Sequence, residues 1–199
     1  MKVIGILGGV ASGKSLVTEA LADLGAGVLD ADRVGHDVLR VPETEEAVRR
    51  RWGERVFGAD GHVDRSRLAA TVFGGSAAAE EERKHLEQLL HPEIGRRLEH
   101  QAGQMAAAGC RAAVLDAPLL LEAGWDKLCS WMIFVDAPRP LRLARALKRG
   151  WSEKDFAARE GVQESLDLKR KRADVIVDNS GSSDETRAQV EQFWRSHVG

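Results

Sequence analysis

Residues 8–15 read GGVASGKS and follow directly on the apolar run VIGIL at residues 3–7. The string satisfies GxxxxGK(S/T), in which backbone N–H groups cradle phosphate oxygens, the lysine reaches the terminal phosphates and the hydroxyl holds Mg²⁺. Gly9 or Gly13 alone would be turn residues, and Lys14 alone a solvated cation. The order strand, loop, helix makes them a site. Behind the loop, SLVTEALADLG supplies the helix: Leu16, Val17, Ala20, Leu21 and Leu24 recur at helical spacing, and Gly25 ends it. Gly9, Val10, Ala11, Ser12, Gly13, Lys14 and Ser15 are therefore expected to hold the phosphates of ATP, with Ser15 on Mg²⁺.

Five short apolar runs are candidate buried strands, at residues 3–7, 27–30, 112–116, 131–136 and 174–178. Helical patterns separate them, and the clearest runs lack polar alternation. That combination predicts an α/β fold, a parallel five-stranded sheet covered by helices on both faces. Ligands of such sheets bind at the carboxyl ends of the strands. Those ends carry the glycine loop and then Asp30, Asp116, Asp136 and Asp178. Aspartates also terminate strands for purely local reasons, and for Asp136 and Asp178 the two readings weigh equally.

At 199 residues the chain is expected to be one domain with insertions. A net charge of −2 gives no reason to expect a nucleic-acid or membrane partner. Cys110 and Cys129 lack metal-ligand spacing and a secretory context, so both are read as reduced thiols of a cytoplasmic protein. A monomer is the simplest expectation.

The spacing of the strands is uneven. About 80 residues separate Asp30 from Ala112, far more than one crossover helix needs, and their pattern is helical. We read them as an inserted helical subdomain over about 34–109, with core segments at about 1–33, 110–140 and 172–199. Charge marks a further segment. Residues 139–172 hold eleven Lys or Arg against five Asp or Glu. Arg142, Arg145 and Arg149 fall at i, i+3 and i+7, which places three guanidiniums on one helix face. Such a face is either solvated or a phosphate clamp, and a basic lid over about 141–171 is predicted from the second reading.

No Asn-Lys-x-Asp guanine motif and no Leu-Ser-Gly-Gly-Gln signature is present. A small-molecule kinase fits better: phosphoryl transfer is mostly positioning and charge neutralisation, which an arginine-bearing lid supplies. A kinase also needs a group for the acceptor proton. In VLDADRVGHDVL, Asp30 ends the second strand and Asp32 lies two residues on, on the same side if the segment is extended. Asp32 is a candidate general base, or the N-cap of a helix beginning near Arg33. His91-Pro92, judged from local pattern alone, reads as a helix break. A compact-acceptor kinase and a catalytically inert nucleotide-binding module are the rival readings. Lys14, Ser15 and Asp32 together argue against the second.

From end to end the chain resembles the dephospho-coenzyme A kinase family. The resemblance is carried by GILGGVASGKS, DLGAGVLDADRVGHDVL, LEQLLHPEIGRRL, VLDAPLLLEAGWD, IFVDAPRPLRLARALKR and KRADVIVDNSG, in that order. It implies transfer of the γ-phosphate of ATP to the ribose 3′-hydroxyl of dephospho-CoA, on a parallel sheet with a helical CoA-binding domain and a lid. It also implies Asp32 as the base, Lys14 and Ser15 on phosphate and Mg²⁺, and His91 and Pro92 on the acceptor side. Arg145, Arg149 and Gln163 then fall in the lid, and Asn179 to Gly181 in the loop packing on adenine. The chain departs from the family at Ala11, where many members have glycine. KRGWSEKDF is one residue shorter than in some members, which bears on the register of Arg149. Asp116 resembles the carboxylate closing a Walker B strand and is a secondary Mg²⁺ candidate.

Overall fold

The computed structural model describes residues 1–73 and 76–199. Five strands form one sheet: β1 (Lys2–Gly8), β2 (Gly27–Asp30), β3 (Ala112–Asp116), β4 (Trp131–Asp136) and β5 (Val175–Asp178). Their order is β2-β3-β1-β4-β5, and every pairing is parallel. The helices are α1 (Lys14–Asp23), α2 (Ala31–Val38), α3 (Pro42–Trp52), α4 (Arg65–Val72), α5 (Ala77–Ala107), α6 (Arg139–Lys148), α7 (Glu153–Gly161), α8 (Leu166–Arg172) and α9 (Ser183–His197).

The chain divides into two compact units, residues 1–30 with 99–199 and residues 31–98. In the first, β1 takes the centre of the sheet because its residues from Val3 onward are buried on both faces. Ile4, Ile6, Val114, Ile133, Val135 and Val177 meet Val17 and Leu21 of α1 and Val190 and Phe193 of α9 in one core. Ser182 and Ser152 open α9 and α7 with reciprocal capping boxes through Glu185 and Asp155, each satisfying donors that a helix start leaves free. The strand register sets Asp30 opposite Asp116 and Asp136 opposite Asp178, so the carboxyl rim carries two acidic pairs beside the glycine loop.

The second unit is helical. It begins at residue 31 and ends at 98, earlier at both ends than the spacing of the strands suggested. Its core is built from Val34, Val38, Val48, Trp52, Leu68, Ile94 and Leu98, all buried. The Trp52 indole donates to Glu82 at 2.8 Å, so the ring is buried without an orphaned N–H.

Two local expectations are corrected here. The segment after β2 is not extended: α2 starts at Ala31, which places Asp32 in the first helical turn and removes the N-cap alternative. Helix also continues through His91-Pro92, because α5 runs unbroken from Ala77 to Ala107. Proline at this depth leaves the carbonyl of Gln88 without its helical N–H partner, at a cost of about 3 kcal/mol. Ile94 and Leu98, buried on the following turns, hold the helix together across that defect.

Candidate active site

The loop between β1 and α1 is shaped by backbone that most residues avoid. Gly13 has φ +100°, and Ala11 lies in the left-handed region at φ +57°. Three side chains tie the loop down from the other elements of the first unit. Arg142 of α6 donates from Nη1 to the Val10 carbonyl at 3.2 Å and from Nε to that of Ala137 at 3.1 Å. Arg145, one turn on, donates to the carbonyls of Ser12 at 3.0 Å and Asn179 at 2.8 Å. The Asn179 amide donates to the same Ser12 carbonyl at 2.7 Å and accepts from the Thr186 hydroxyl at 2.9 Å. Because a trans peptide is planar, a carbonyl held from one side turns its N–H to the other. The N–H groups of Ala11 and Gly13 therefore point away from these tethers, as an oxyanion cradle requires.

Lys14 opens α1, and its ammonium donates to the carbonyls of Gly8 at 3.3 Å and Gly9 at 3.2 Å. Burial, with the like charges of Lys169, Arg142 and Arg149 around it, lowers its pKa to about 8, while Asp116 opposes that shift. Positive charge so concentrated at a glycine loop is the electrostatic signature of an anion site. Ser15 is exposed in the first turn of α1. Asp116, at the end of β3, accepts from the Thr18 hydroxyl at 3.4 Å. These are hard oxygen donors of the kind Mg²⁺ takes when substrate phosphates and water complete its shell. Among the described residues no group of three or more His, Cys, Asp or Glu could hold a metal alone.

Of the guanidiniums read on one face, Arg142 is not available to a ligand. Its Nε donates to the Ala137 carbonyl and its Nη1 to the Val10 carbonyl and, at 2.8 Å, to Glu160 of α7, so these donors are committed within the fold. Its charge is spent on the fold, which corrects its inclusion in a phosphate clamp. Arg149 is exposed at the C-cap of α6. The Asn179 side chain is likewise committed to the loop and to Thr186, so adenine packing there would fall to the backbone of Asn179, Ser180 and Gly181. Asp136 and Asp178 take the local reading. Asp136 pairs with Arg170, and Ser180, through its hydroxyl and then its N–H at 2.8 Å, holds the Asp178 carboxyl below the usual range.

Asp32, His91 and Pro92 belong to the second unit, on α2 and α5. Those helices meet where Gly35, one turn after Asp32, approaches Ile94, one turn after His91. Asp32 is exposed. A charge missing from the sequence reading is Lys169. It is 2% exposed on α8, with Nζ 3.2 Å from Gln163 Oε1 and 3.6 Å from Glu122 Oε1. Both cysteines are free, and burial pushes the Cys129 thiol up to about 12. No described helix is long and apolar enough to cross a membrane.

A parallel 2-3-1-4-5 sheet whose central strand feeds a tethered GxxxxGKS loop defines a P-loop phosphotransferase. The family model for dephospho-CoA kinase (CoaE) matches residues 2–185. A dephospho-CoA kinase of Symbiobacterium thermophilum is 42% identical, covering 100% of this chain and 82% of the relative. Another, of Bacillus licheniformis, is 40% identical, covering 96% and 94%. Among solved structures, a dephospho-CoA kinase from Campylobacter jejuni matches with a TM-score of 0.73 at 26% identity, over 100% and 98% of the two chains. A shikimate kinase from Acinetobacter baumannii shares the fold alone, with a TM-score of 0.52 at 15% identity over 98% and 92%. The chain belongs to the dephospho-CoA kinase family. Its activity is ATP-dependent phosphorylation of an alcohol, the 3′-hydroxyl of dephospho-CoA, which is the last step of coenzyme A biosynthesis.

Proposed function

We propose that the loop of residues 9–15 binds the phosphates of ATP and that Asp32 is the general base for the acceptor. The Asp32 carboxylate takes the proton of the ribose 3′-hydroxyl as that oxygen bonds to the γ-phosphorus. The bond from the γ-phosphorus to the bridging oxygen breaks, and ADP leaves with its electrons. Lys14 and Arg149 neutralise the equatorial oxygens while charge redistributes, and Arg145 holds the loop in register behind them. Ser15, with Asp116 as a second oxygen donor, would hold Mg²⁺, which would supply charge neutralisation at the phosphates. His91 and Pro92 serve the acceptor side, and residues of α6 to α8 close over the phosphates as a lid. A cytoplasmic setting suits an ATP-consuming enzyme with free thiols.

The observation that carries this reading is the pre-tethered loop, whose carbonyls at Val10 and Ser12 are engaged from behind. Preorganised N–H donors need no rearrangement when charge develops, which is where most electrostatic catalysis originates.

Asp32→Asn and Asp32→Ser test the base. Asn keeps the size and an acceptor oxygen, and Ser keeps a polar group suited to a helix start. Both variants should lose roughly 10²–10⁴-fold in turnover with ATP affinity near wild type. Turnover near the wild-type rate in both would remove Asp32 from the chemistry and make Asp30 the next carboxylate to substitute.

A further inference from the structure

α8 inverts the expected order of burial. Its run LDLKRKR exposes Leu168 at 37% and buries Lys169 at 2%, while Arg170, Lys171 and Arg172 stay in solvent. A buried ammonium is costly unless it is paired and hydrogen-bonded. Lys169 is only partly so. Of three donors, one meets Gln163 Oε1 at 3.2 Å, and the carboxylate of Glu122 stands at 3.6 Å, longer than a charge-assisted hydrogen bond.

Glu122 is also shared. Its Oε1 accepts from the Glu164 N–H at 2.8 Å, while Oε2 is buried with no partner among the described residues. The Glu122–Glu164 bond alone ties the α7–α8 turn to the segment after β3, so fastening that turn does not require Lys169. What Lys169 adds is charge. α8 packs against β1 and β4, and β1 leads into the glycine loop. The charge of Lys169 bears on Lys14, as do those of Asp116, Arg142 and Arg149. Glu122 and Glu160 offset Lys169 and Arg142, and Asp116 offsets Lys14, which leaves the charge of Arg149 in excess, a balance that a polyanion completes.

We propose that Lys169, aimed by Gln163 and Glu122, is a second lysine of the phosphate site and donates to the terminal phosphate of ATP alongside Lys14. The proposal rests on the reading of residues 9–15 as the ATP loop. It also gives Gln163 a task, orienting an ammonium rather than touching substrate.

The test uses the full chain with Lys169→Met and Lys169→Arg, and measures ATP and ADP affinity by calorimetry beside steady-state kinetics. For Lys169→Met we expect ATP binding to weaken about tenfold or more, ADP binding to change less than about threefold, and kcat to fall about 10²-fold. KM for dephospho-CoA should hold, and Lys169→Arg should restore most of the loss. A clip that only braces the turn would lower thermal stability and leave the ATP-to-ADP affinity ratio and kcat unchanged, which would overturn the proposal.

Should Lys169→Met not fold, the wild-type protein decides, labelled with ¹³C at lysine Cε and assigned through the Lys14→Arg and Lys169→Arg spectra. Both resonances should move on adding ATP, and Lys169 should move little with ADP. Movement of Lys14 alone would overturn the role of Lys169. A Lys14 resonance that ignores ATP would overturn the ATP reading of the loop, and this proposal with it.

Discussion

In the proposed site Lys14 meets the terminal phosphates, and its environment sets a pH dependence. Its folded pKa, about 8, lies below the ordinary 10.5 because burial and neighbouring cations disfavour the ammonium. For stability, the charged form is a cost that is fully present below about pH 8 and fades as pH rises toward the unfolded value, because the unfolded chain then binds more protons. For binding the sign is opposite. ATP favours the ammonium and raises its pKa, so binding takes up a proton and affinity declines as pH rises through about 8. Calorimetry at pH 7 and 9, in two buffers of different ionisation enthalpy, should show proton uptake at the higher pH and weaker ATP binding there. Equal affinity with no proton uptake at pH 9 would contradict the placement of Lys14 on phosphate. Nearby, Ala11 carries a methyl where many family members have glycine. At φ +57° it gives up about 1–2 kcal/mol relative to ordinary backbone. Packing against Ala146 and Phe156 offsets part of that.

At the scale of elements, α6 fastens the loop through a charge the sequence did not mark as structural. Arg142 links the Val10 carbonyl, the Ala137 carbonyl and Glu160, so one guanidinium joins α7, α6 and the loop. Arg142→Met would orphan two carbonyls and leave Glu160 only its exposed partner Arg139, and should cost about 2–4 kcal/mol, discounted from a fully buried pair because Glu160 is partly exposed. Arg139→Ala, which removes an exposed partner of the same Glu160, should cost less than about 1 kcal/mol. Urea unfolding of both variants checks this, and equal stabilities would contradict it. The strands were legible because buried parallel strands need unbroken apolar runs, and even the short β2 and β5 fall where those runs lie. The start of α2 was not, since Asp30 and Asp32 at two-residue spacing suit strand and helix start alike. Pro92 misled because local propensity outweighs proline only when burial on later turns is known. Lys169 was hidden in KRKR, where the sequence offers charge but no sign that one of four points inward.

At the scale of the whole molecule, uneven strand spacing implies a helical insertion, and residues 31–98 form a compact unit of their own. The spacing could not fix its limits, because α5 runs from Ala77 to Ala107 without a break and crosses residue 98 in mid-helix. Nor could it show that α6 to α8 group with the sheet. A helical unit spanning residues 31–98 is large for a compact acceptor and suits a long one, which is why acceptor choice tests the account most directly. The decisive measurement offers the purified chain ATP and Mg²⁺ with dephospho-CoA, AMP or shikimate in separate reactions, following ADP release and locating the new phosphate by phosphorus NMR. The account predicts rapid turnover with dephospho-CoA alone, product carrying phosphate at the ribose 3′-oxygen, and a loss of roughly 10²–10³-fold in Lys14→Ala. Faster phosphorylation of AMP or shikimate, or a Lys14→Ala variant retaining more than about a third of the wild-type rate, would contradict it.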